Sequence, residues 1–225
     1  MRSLGLALFA EGPTDRRFLA PVLRRATEDM CLREADDIVE IGDVLQLQSH
    51  AQTGGTDRGT RILEAAREAG DAYGLLFIHA DGGGDPDSAV RERVDPAARL
   101  VASDLARPRV GIVAVVPVRE TEAWTLVDGD ALREAFGTLL DDSGLGIPAR
   151  SRDVESLPDP KQSLDRAFGK VVGARRRKKK AADFLDAIGE RVQLTHLRAL
   201  PAFQRFERDL RAALLALRYL GQDAR

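Results

Sequence analysis

The sequence predicts an α/β fold, with a mainly parallel sheet flanked by helices and a helical C-terminal portion. Three apolar runs predict buried strands, at residues 4–10, 73–80 and 110–116. Each run is short and almost continuous, which is typical of strands that are covered on both faces. Segments of helical character separate the runs, and strands that alternate with helices indicate βαβ units and parallel pairing.

The first strand leads through a turn directly into a helix. Residues 4–10 are apolar, and Glu11 and a Gly-Pro pair follow them. Gly reaches unusual φ values and Pro cannot donate to a strand ladder, so this pair is expected to turn the chain. Thr14 is a good N-cap for a helix over residues 15–25. Glu11 should therefore lie at the carboxyl end of a buried strand, where open α/β sheets bind their ligands.

The segments between the apolar runs complete the alternation. Residues 38–48 have strand character, residues 50–59 form a polar loop, and residues 58–69 and 87–105 are helical by composition and spacing. The alternation of strands and helices continues up to the third apolar run.

The strand signal disappears beyond about residue 128. Residues 141–160 are rich in Asp, Ser, Gly and Pro and predict an extended loop, and residues 161–219 predict helices. We therefore expect two parts within one structural unit: an α/β core over residues 1–128 and a helical extension over residues 129–225 that packs on it.

Composition limits the classes of protein and of site. The formal net charge is -2, so the overall charge does not indicate a nucleic-acid binder. The single cysteine, Cys31, excludes an intrachain disulfide and a four-cysteine zinc site, as in proteins of a reducing cytoplasm. No apolar run is long enough to span a membrane, and the apolar start is too short for a signal peptide. We therefore expect a cytoplasmic protein without membrane contact.

Acidic residues follow the ends of all three apolar runs: Glu11 after the first, Asp81, Asp85 and Asp87 after the second, and Glu120 and Glu122 after the third. The carboxyl ends of neighbouring parallel strands lie side by side, so these acids are expected to meet. Clustered carboxylates repel one another unless a cation neutralises them. Mg²⁺ takes oxygen ligands and keeps several waters, and Mn²⁺ is the alternative. The sequence thus predicts a metal site that can activate water and orient a phosphodiester.

The roles within this group have alternatives. Glu11 is either a metal ligand or general base, or a solvated loop acid. Asp15 is either part of the site or a first-turn acid that favours the helix dipole. His79 is either a general base or a packed, hydrogen-bonded residue. Glu120 is favoured as a ligand, with Glu122 as a helix-start acid or a support to the ligands.

Three glycines, Gly82, Gly83 and Gly84, follow Asp81 directly. They would let the backbone approach a bulky substrate closely. Their spacing matches neither a P-loop nor a dinucleotide-binding fingerprint.

A basic run lies in the C-terminal half: Arg175, Arg176, Arg177, Lys178, Lys179 and Lys180. Such a run either binds a phosphate backbone or forms the solvated face of a surface helix. No aromatic residue is interleaved, so stacking on single-stranded bases is not indicated.

The residues around Glu11 resemble the opening motif of Toprim domains, which occur in topoisomerases, primases and OLD-family nucleases. Residues 9–15, Phe-Ala-Glu-Gly-Pro-Thr-Asp, are similar to the Glu-Gly-x-Thr-Asp motif. In that family the Glu closes the first strand and serves in catalysis or metal binding. Asp81 corresponds in position to the family's second acidic motif, Asp-x-Asp. The second carboxylate of that motif is either Asp85 or Asp87, since the strict spacing is absent.

Residues 116–124, Val-Pro-Val-Arg-Glu-Thr-Glu-Ala-Trp, resemble the P-x-x-E-x-E-x-W segment of a bacterial Toprim-like family of unknown function. Residues 197–206 resemble that family's closing segment. Members are often encoded beside an OLD-like or SMC-like ATPase, in anti-phage or mobile-element loci. The resemblance covers most of the chain and implies a Toprim-like, Rossmann-like core.

Together these features predict a Mg²⁺- or Mn²⁺-dependent nuclease that cleaves phosphodiester bonds in DNA or RNA. Glu11 and Asp81 are the predicted catalytic residues, and the predicted metal ligands are Glu11, Asp81, Asp85 and Glu120. Asp15, Asp87, Glu122 and His79 are expected beside them. One alternative is a subunit that acts only with a partner ATPase encoded nearby, and another is a hydrolase of small phosphate esters. The sequence defines neither the number of metals nor the oligomeric state.

Overall fold

The computed structural model describes residues 1–48, 57–104, 110–172 and 179–221. Within these residues a single sheet is formed by four strands: β1 (Arg2–Phe9), β2 (Val39–Gln46), β3 (Leu75–His79) and β4 (Gly111–Val115). The strand order is β2-β1-β3-β4, and every neighbouring pair is parallel. The predicted α/β fold class with a parallel sheet is therefore confirmed.

The helices of the described residues are α1 (Pro13–Glu34), α2 (Arg58–Glu68), α3 (Pro86–Ala89), α4 (Asp95–Ala102), α5 (Glu122–Thr125), α6 (Gly129–Phe136), α7 (Asp142–Leu145), α8 (Pro160–Val172), α9 (Leu185–Arg191), α10 (Leu194–Leu197) and α11 (Pro201–Ala216). None of these helices combines the length and the apolar character that crossing a bilayer requires.

The position of each strand explains its sequence pattern. β3 lies between β1 and β4, and all five of its residues are buried. β1 is also central, and its last four residues are buried. β2 is at one edge of the sheet and has no fully buried residue, which explains its weaker and more polar strand signal.

The first helix begins earlier than predicted. The prediction of Thr14 as N-cap is wrong: Gly12 is the N-cap and Pro13 is the first helical residue. Proline suits this position because its fixed φ is helical and its missing N–H would have no partner there. The backbone N–H of Gly12 donates to the Asp15 carboxylate at 2.9 Å. The helix also continues well beyond residue 25, because its buried face continues to Met30.

Helices cover both faces of the sheet. One face packs against α2 and α4, and the other packs against α1 and the C-terminal helices. Trp124 is fully buried and meets Phe203 of α11 edge-on at 5.3 Å between ring centroids. The ring of Phe206 of α11 is tilted against the ring of Phe77 of β3, with 6.0 Å between the ring centroids. The described C-terminal helices therefore share a hydrophobic core with the sheet.

Residues 141–160 contain more helix than the predicted extended loop. They include α7, a 3₁₀ turn at Ser151–Ser156 and the first residue of α8. Val154 within the 3₁₀ turn is fully buried, so this stretch contributes to the core. The polar composition of residues 141–160 predicted a loop, because composition does not include the tertiary packing that stabilises these short helices.

The helical segment after β3 contains a widened π turn at Val90–Val94, between α3 and α4. The backbone N–H of Asp95 donates to the carbonyl of Val90, five residues earlier. Pro96 has no N–H to offer to the preceding turn, which favours a change of the hydrogen-bond pattern at this point. The turn contains Arg93, which points toward the carboxyl edge of the sheet, as described below.

Two helical glycines test the packing of the C-terminal region on α1. A Cβ at Gly189 of α9 would lie 2.6 Å from the carbonyl oxygen of Phe18, whereas a Cβ at Gly169 of α8 would contact nothing within 4 Å. We expect Gly189→Ala to lower the free energy of unfolding by about 1–3 kcal/mol, because α9 must move away from α1. Gly169→Ala should raise it by about 0.5–1 kcal/mol through helix propensity. Chemical denaturation measures both, and equal effects of the two variants would contradict this packing.

Candidate metal centre

Three potential metal ligands meet at the carboxyl edge of the sheet. Asp15 comes from the first turn of α1, His79 is the last residue of β3, and Asp81 follows two residues later. One ligand atom from each lies within 4.8 Å of the other two. The Nδ1 atom of His79 is 4.0 Å from Oδ2 of Asp15, and its Nε2 atom is 3.5 Å from Oδ1 of Asp81. We call these residues the Asp-His-Asp group.

The Asp-His-Asp group is largely buried. His79 is completely buried and Asp15 is 7% exposed. Among the described residues, Nδ1 of His79 and Oδ1 of Asp81 have no hydrogen-bond partner, although both atoms are buried. A buried polar atom without a partner is costly, and a bound cation would satisfy carboxylate oxygens. The group therefore has a composition and an arrangement that could hold a metal ion.

Neighbouring residues hold the group in place. The hydroxyl of Thr121, which follows β4, lies 3.0 Å from Nε2 of His79. The Gly12 N–H donates at 2.9 Å to Oδ2 of Asp15, the oxygen that faces Nδ1 of His79. The segment after β4 thus positions the His79 ring, and the turn after β1 positions the Asp15 carboxylate.

Glu11 lies beside the group but pairs with arginines. Its Oε1 atom is 3.2 Å from Nη1 of Arg58 and 3.1 Å from Nη1 of Arg93. Arg58 also donates to the carbonyl of His79, and Arg93 donates to the carbonyl of Asp81. Both arginines are therefore anchored on the backbone that carries the Asp-His-Asp group.

Two further carboxylates follow β4. Glu122 is 8% exposed, and burial raises its pKa to about 7, with smaller contributions from Asp15 and Glu120. Lys161 acts in the opposite direction. Glu120 has one buried carboxylate oxygen without a partner among the described residues, but it lies outside the Asp-His-Asp group. These acids make this side of the site rich in negative charge.

The other acids after β3 have contacts elsewhere. Asp85 is the N-cap of α3 and accepts the N–H of Ser88 at 2.9 Å. Asp87 is exposed and pairs with Arg205 of α11, which lowers the pKa of the Asp87 carboxyl. Neither belongs to the Asp-His-Asp group, and the prediction of Asp85 as a ligand stays untested.

The glycine loop packs against the chain itself. The N–H groups of Gly83 and Gly84 donate to the carbonyls of Arg119 and Val118 at 3.2 and 2.8 Å. A Cβ at Gly82 would lie 2.2 Å from the carbonyl oxygen of Pro117. Gly82 therefore allows a close approach of the loops after β3 and β4, and the approach of a substrate to this loop stays a prediction.

Most of the predicted basic run lies outside the described residues, namely Arg175, Arg176, Arg177 and Lys178. Lys179 and Lys180 are described and exposed. The Lys179 ammonium lies 5.3 Å from the centre of the Phe184 ring. The binding of nucleic acid by this run stays a prediction.

Sequence reasoning missed Arg58, Arg93 and Thr121. Arg93 contacts Glu11 across 82 positions of the chain, so no local motif contains both residues. With 34 lysines and arginines in the chain, residue type alone could not identify these two. Thr121 lies between Glu120 and Glu122 in the sequence. Its position between two candidate site residues was the signal that could have identified it.

The raised pKa of Glu122 predicts a pH-dependent stability in metal-free buffer. Folded chains keep the Glu122 proton up to about pH 7, whereas the ordinary value is 4.5. The stabilising contribution is thus present below pH 4.5 and is lost as the pH rises through 7. Glu122→Gln should therefore exceed the wild type in free energy of unfolding at pH 8 by roughly 2 kcal/mol, with little difference at pH 4.

Urea denaturation at both pH values, in the presence of a chelator, measures this difference. Glu64→Gln is the matched control, because Glu64 is exposed on α2. A Glu122→Gln variant that follows the wild-type profile at every pH would contradict the burial of a neutral carboxyl.

Comparison with known proteins gives one match. No curated protein and no solved structure matches the chain. The model of a family described as a domain of unknown function, DUF4276, matches residues 10–211. The match includes Glu11, the Asp-His-Asp group and most of α11. The chain therefore belongs to the DUF4276 family.

Proposed function

We propose that the protein is a metal-dependent phosphodiesterase that cleaves nucleic acid. The observation that carries this proposal is the Asp-His-Asp group, with unpartnered buried ligand atoms on His79 and Asp81. It lies at the carboxyl edge of a parallel sheet, which is the edge where such sheets bind their ligands. The resemblance of the residues around Glu11 to Toprim domains agrees with this chemistry.

Asp15, His79 and Asp81 would hold the metal, since their ligand atoms lie within 4.8 Å of one another. A divalent cation bound there would supply an activated water and polarise a phosphoryl oxygen. An imidazole nitrogen in the set favours Mn²⁺, because Mg²⁺ prefers oxygen ligands throughout. Thr121 would keep the His79 ring in orientation, as ligand histidines require.

Arginines beside the group support an anionic substrate. Arg58 and Arg93 both approach Glu11, and guanidinium groups are well suited to phosphate oxygens. A hollow of about 660 Å³ lies instead along the exposed edge of β4, lined by Val94, Ile112 and Leu217. An enclosed pocket at Asp81 would favour a small phosphate ester, so the position of this hollow gives that alternative no support.

The proposal is tested by the nicking of supercoiled plasmid with Mn²⁺ or Mg²⁺. We expect Asp81→Asn to lose about a hundredfold of the activity or more, because the metal loses a charged ligand. Asp165→Asn is the matched control, since Asp165 is an exposed carboxylate on α8. A chelator should abolish nicking by the wild type. Equal nicking by the wild type and Asp81→Asn would refute the assigned site.

Metal binding is measured separately by thermal unfolding. Mn²⁺ should raise the Tm of the wild type and of Asp165→Asn, and it should leave the Tm of Asp81→Asn unchanged. Metal binding without nicking would favour a partner-dependent activity, and the plasmid assay is then repeated with an ATPase where one is encoded beside this protein. An absence of any Mn²⁺ or Mg²⁺ effect on Tm would contradict the metal centre itself.

A further inference from the structure

Three arginines lie near one another beside the Asp-His-Asp group, and two of them contact a single carboxylate. Arg58 and Arg61 lie on the first turns of α2, and Arg93 lies in the π turn. Arg58 and Arg93 contact the same oxygen of Glu11. Burial lowers the pKa of Arg58, and the positive charges of the nearby Arg93 and Arg61 lower it further. We call Arg58, Arg61 and Arg93 the arginine cluster.

The arginine cluster carries more positive charge than its contacts neutralise. Glu11 and the neighbouring Asp81 provide two negative charges for three guanidinium groups. The Nε atom of Arg61 is buried and has no hydrogen-bond partner among the described residues. Partly buried cations with unused donors are stabilised by an anion that offers several acceptor oxygens.

Two of the arginines are held in place before any ligand binds. Arg58 donates through Nε to the carbonyl of Arg93 at 3.2 Å and through Nη2 to the carbonyl of His79. Its guanidinium also lies 5.6 Å from the centre of the Phe9 ring. Arg93 is fixed on the carbonyl of Asp81. Such preorganisation lowers the entropic cost of binding an anion.

We infer, on the basis of the proposed function, that Arg58 and Arg93 are a clamp for a backbone phosphate of the substrate. Glu11 occupies the clamp in the absence of substrate and competes with the phosphate for both guanidinium groups. The clamp adjoins the Asp-His-Asp group through the peptides of His79 and Asp81. A phosphate held there belongs to the same strand as the phosphodiester at the metal centre.

The competition between Glu11 and phosphate gives a test that a merely structural ion pair would not pass. Binding of fluorescein-labelled single-stranded and duplex oligonucleotides is measured by anisotropy in a chelating buffer, with inorganic phosphate as competitor. Glu11→Gln should bind several-fold more tightly than the wild type, because the competing charge is removed. Thermal unfolding checks that Glu11→Gln keeps the wild-type fold, so that a gain of affinity reports the removed charge.

The Arg93→Gln variant tests the opposite effect, a loss of oligonucleotide affinity. Its side chain is 37% exposed, compared with 20% for Arg58, so its replacement disturbs the fold less. We expect roughly tenfold weaker binding and a salt dependence lower by about one counterion. Arg67→Gln on α2 is the matched control, because Arg67 is exposed and pairs with Asp104 at 2.9 Å. Its affinity should equal that of the wild type.

Several results would overturn the clamp: unchanged or weaker binding by Glu11→Gln, an Arg93→Gln affinity equal to the wild type, or binding of inorganic phosphate with none of the oligonucleotides. Because these measurements exclude divalent cations, they are independent of nicking. The expected binding pattern without nicking would support the clamp and count against hydrolysis by the protein alone. Nicking that is lost in Asp81→Asn, together with unaltered binding by both clamp variants, would support hydrolysis and overturn the clamp.

Discussion

Parallel pairing of β1, β3 and β4 is the constraint on which the candidate site depends. Phe9 pairs with Ile78 and His79 pairs with Val115, so the chain leaves all three strands at the same edge. The five buried residues of β3 stabilise this alignment, at about 1.5–3 kcal/mol for each fully buried large apolar side chain. Loss of this register would separate the polar groups, since the segments after β1, β3 and β4 that carry them are far apart in the sequence.

The edge that results has two regions of opposite charge. Asp15 and Glu120 lie on one side, where burial of the neighbouring Glu122 favours the neutral form of that carboxyl. Arg58 and Arg93 form a positive side around Glu11. A cation and a phosphate are complementary to these two sides. One negatively charged polymer that contacts both, through a metal on one side and directly on the other, would neutralise the whole edge.

Much of the fold could be predicted, because the central strands are buried on both faces and therefore read as apolar runs. Less of the candidate site could be predicted from the sequence. Asp81 was predicted because an acid after a buried strand is a local signal, and the structure places it in the Asp-His-Asp group. Asp85 gives the same signal, but it is the N-cap of α3 and a proline follows it, and its role as a ligand stays a prediction. Asp15 and His79 were expected beside the ligands, yet they form the Asp-His-Asp group with Asp81. The arginines depend on contacts between distant elements, which no local pattern encodes.

The π turn between α3 and α4 fixes the geometry of the edge in a way that a regular helix could not. The loop before it is tied to the segment after β4 through Gly83 and Gly84, and α4 is tied to the core by Ala97 and Val101. One additional residue changes helix phase by about 100° and length by about 1.5 Å. The π turn therefore adjusts the phase and length of the helical segment, so that the glycine loop at one end and α4 at the other can both keep their contacts. Substitutions on the core face of α4 can be accommodated there, leaving the Asp81 backbone where it is.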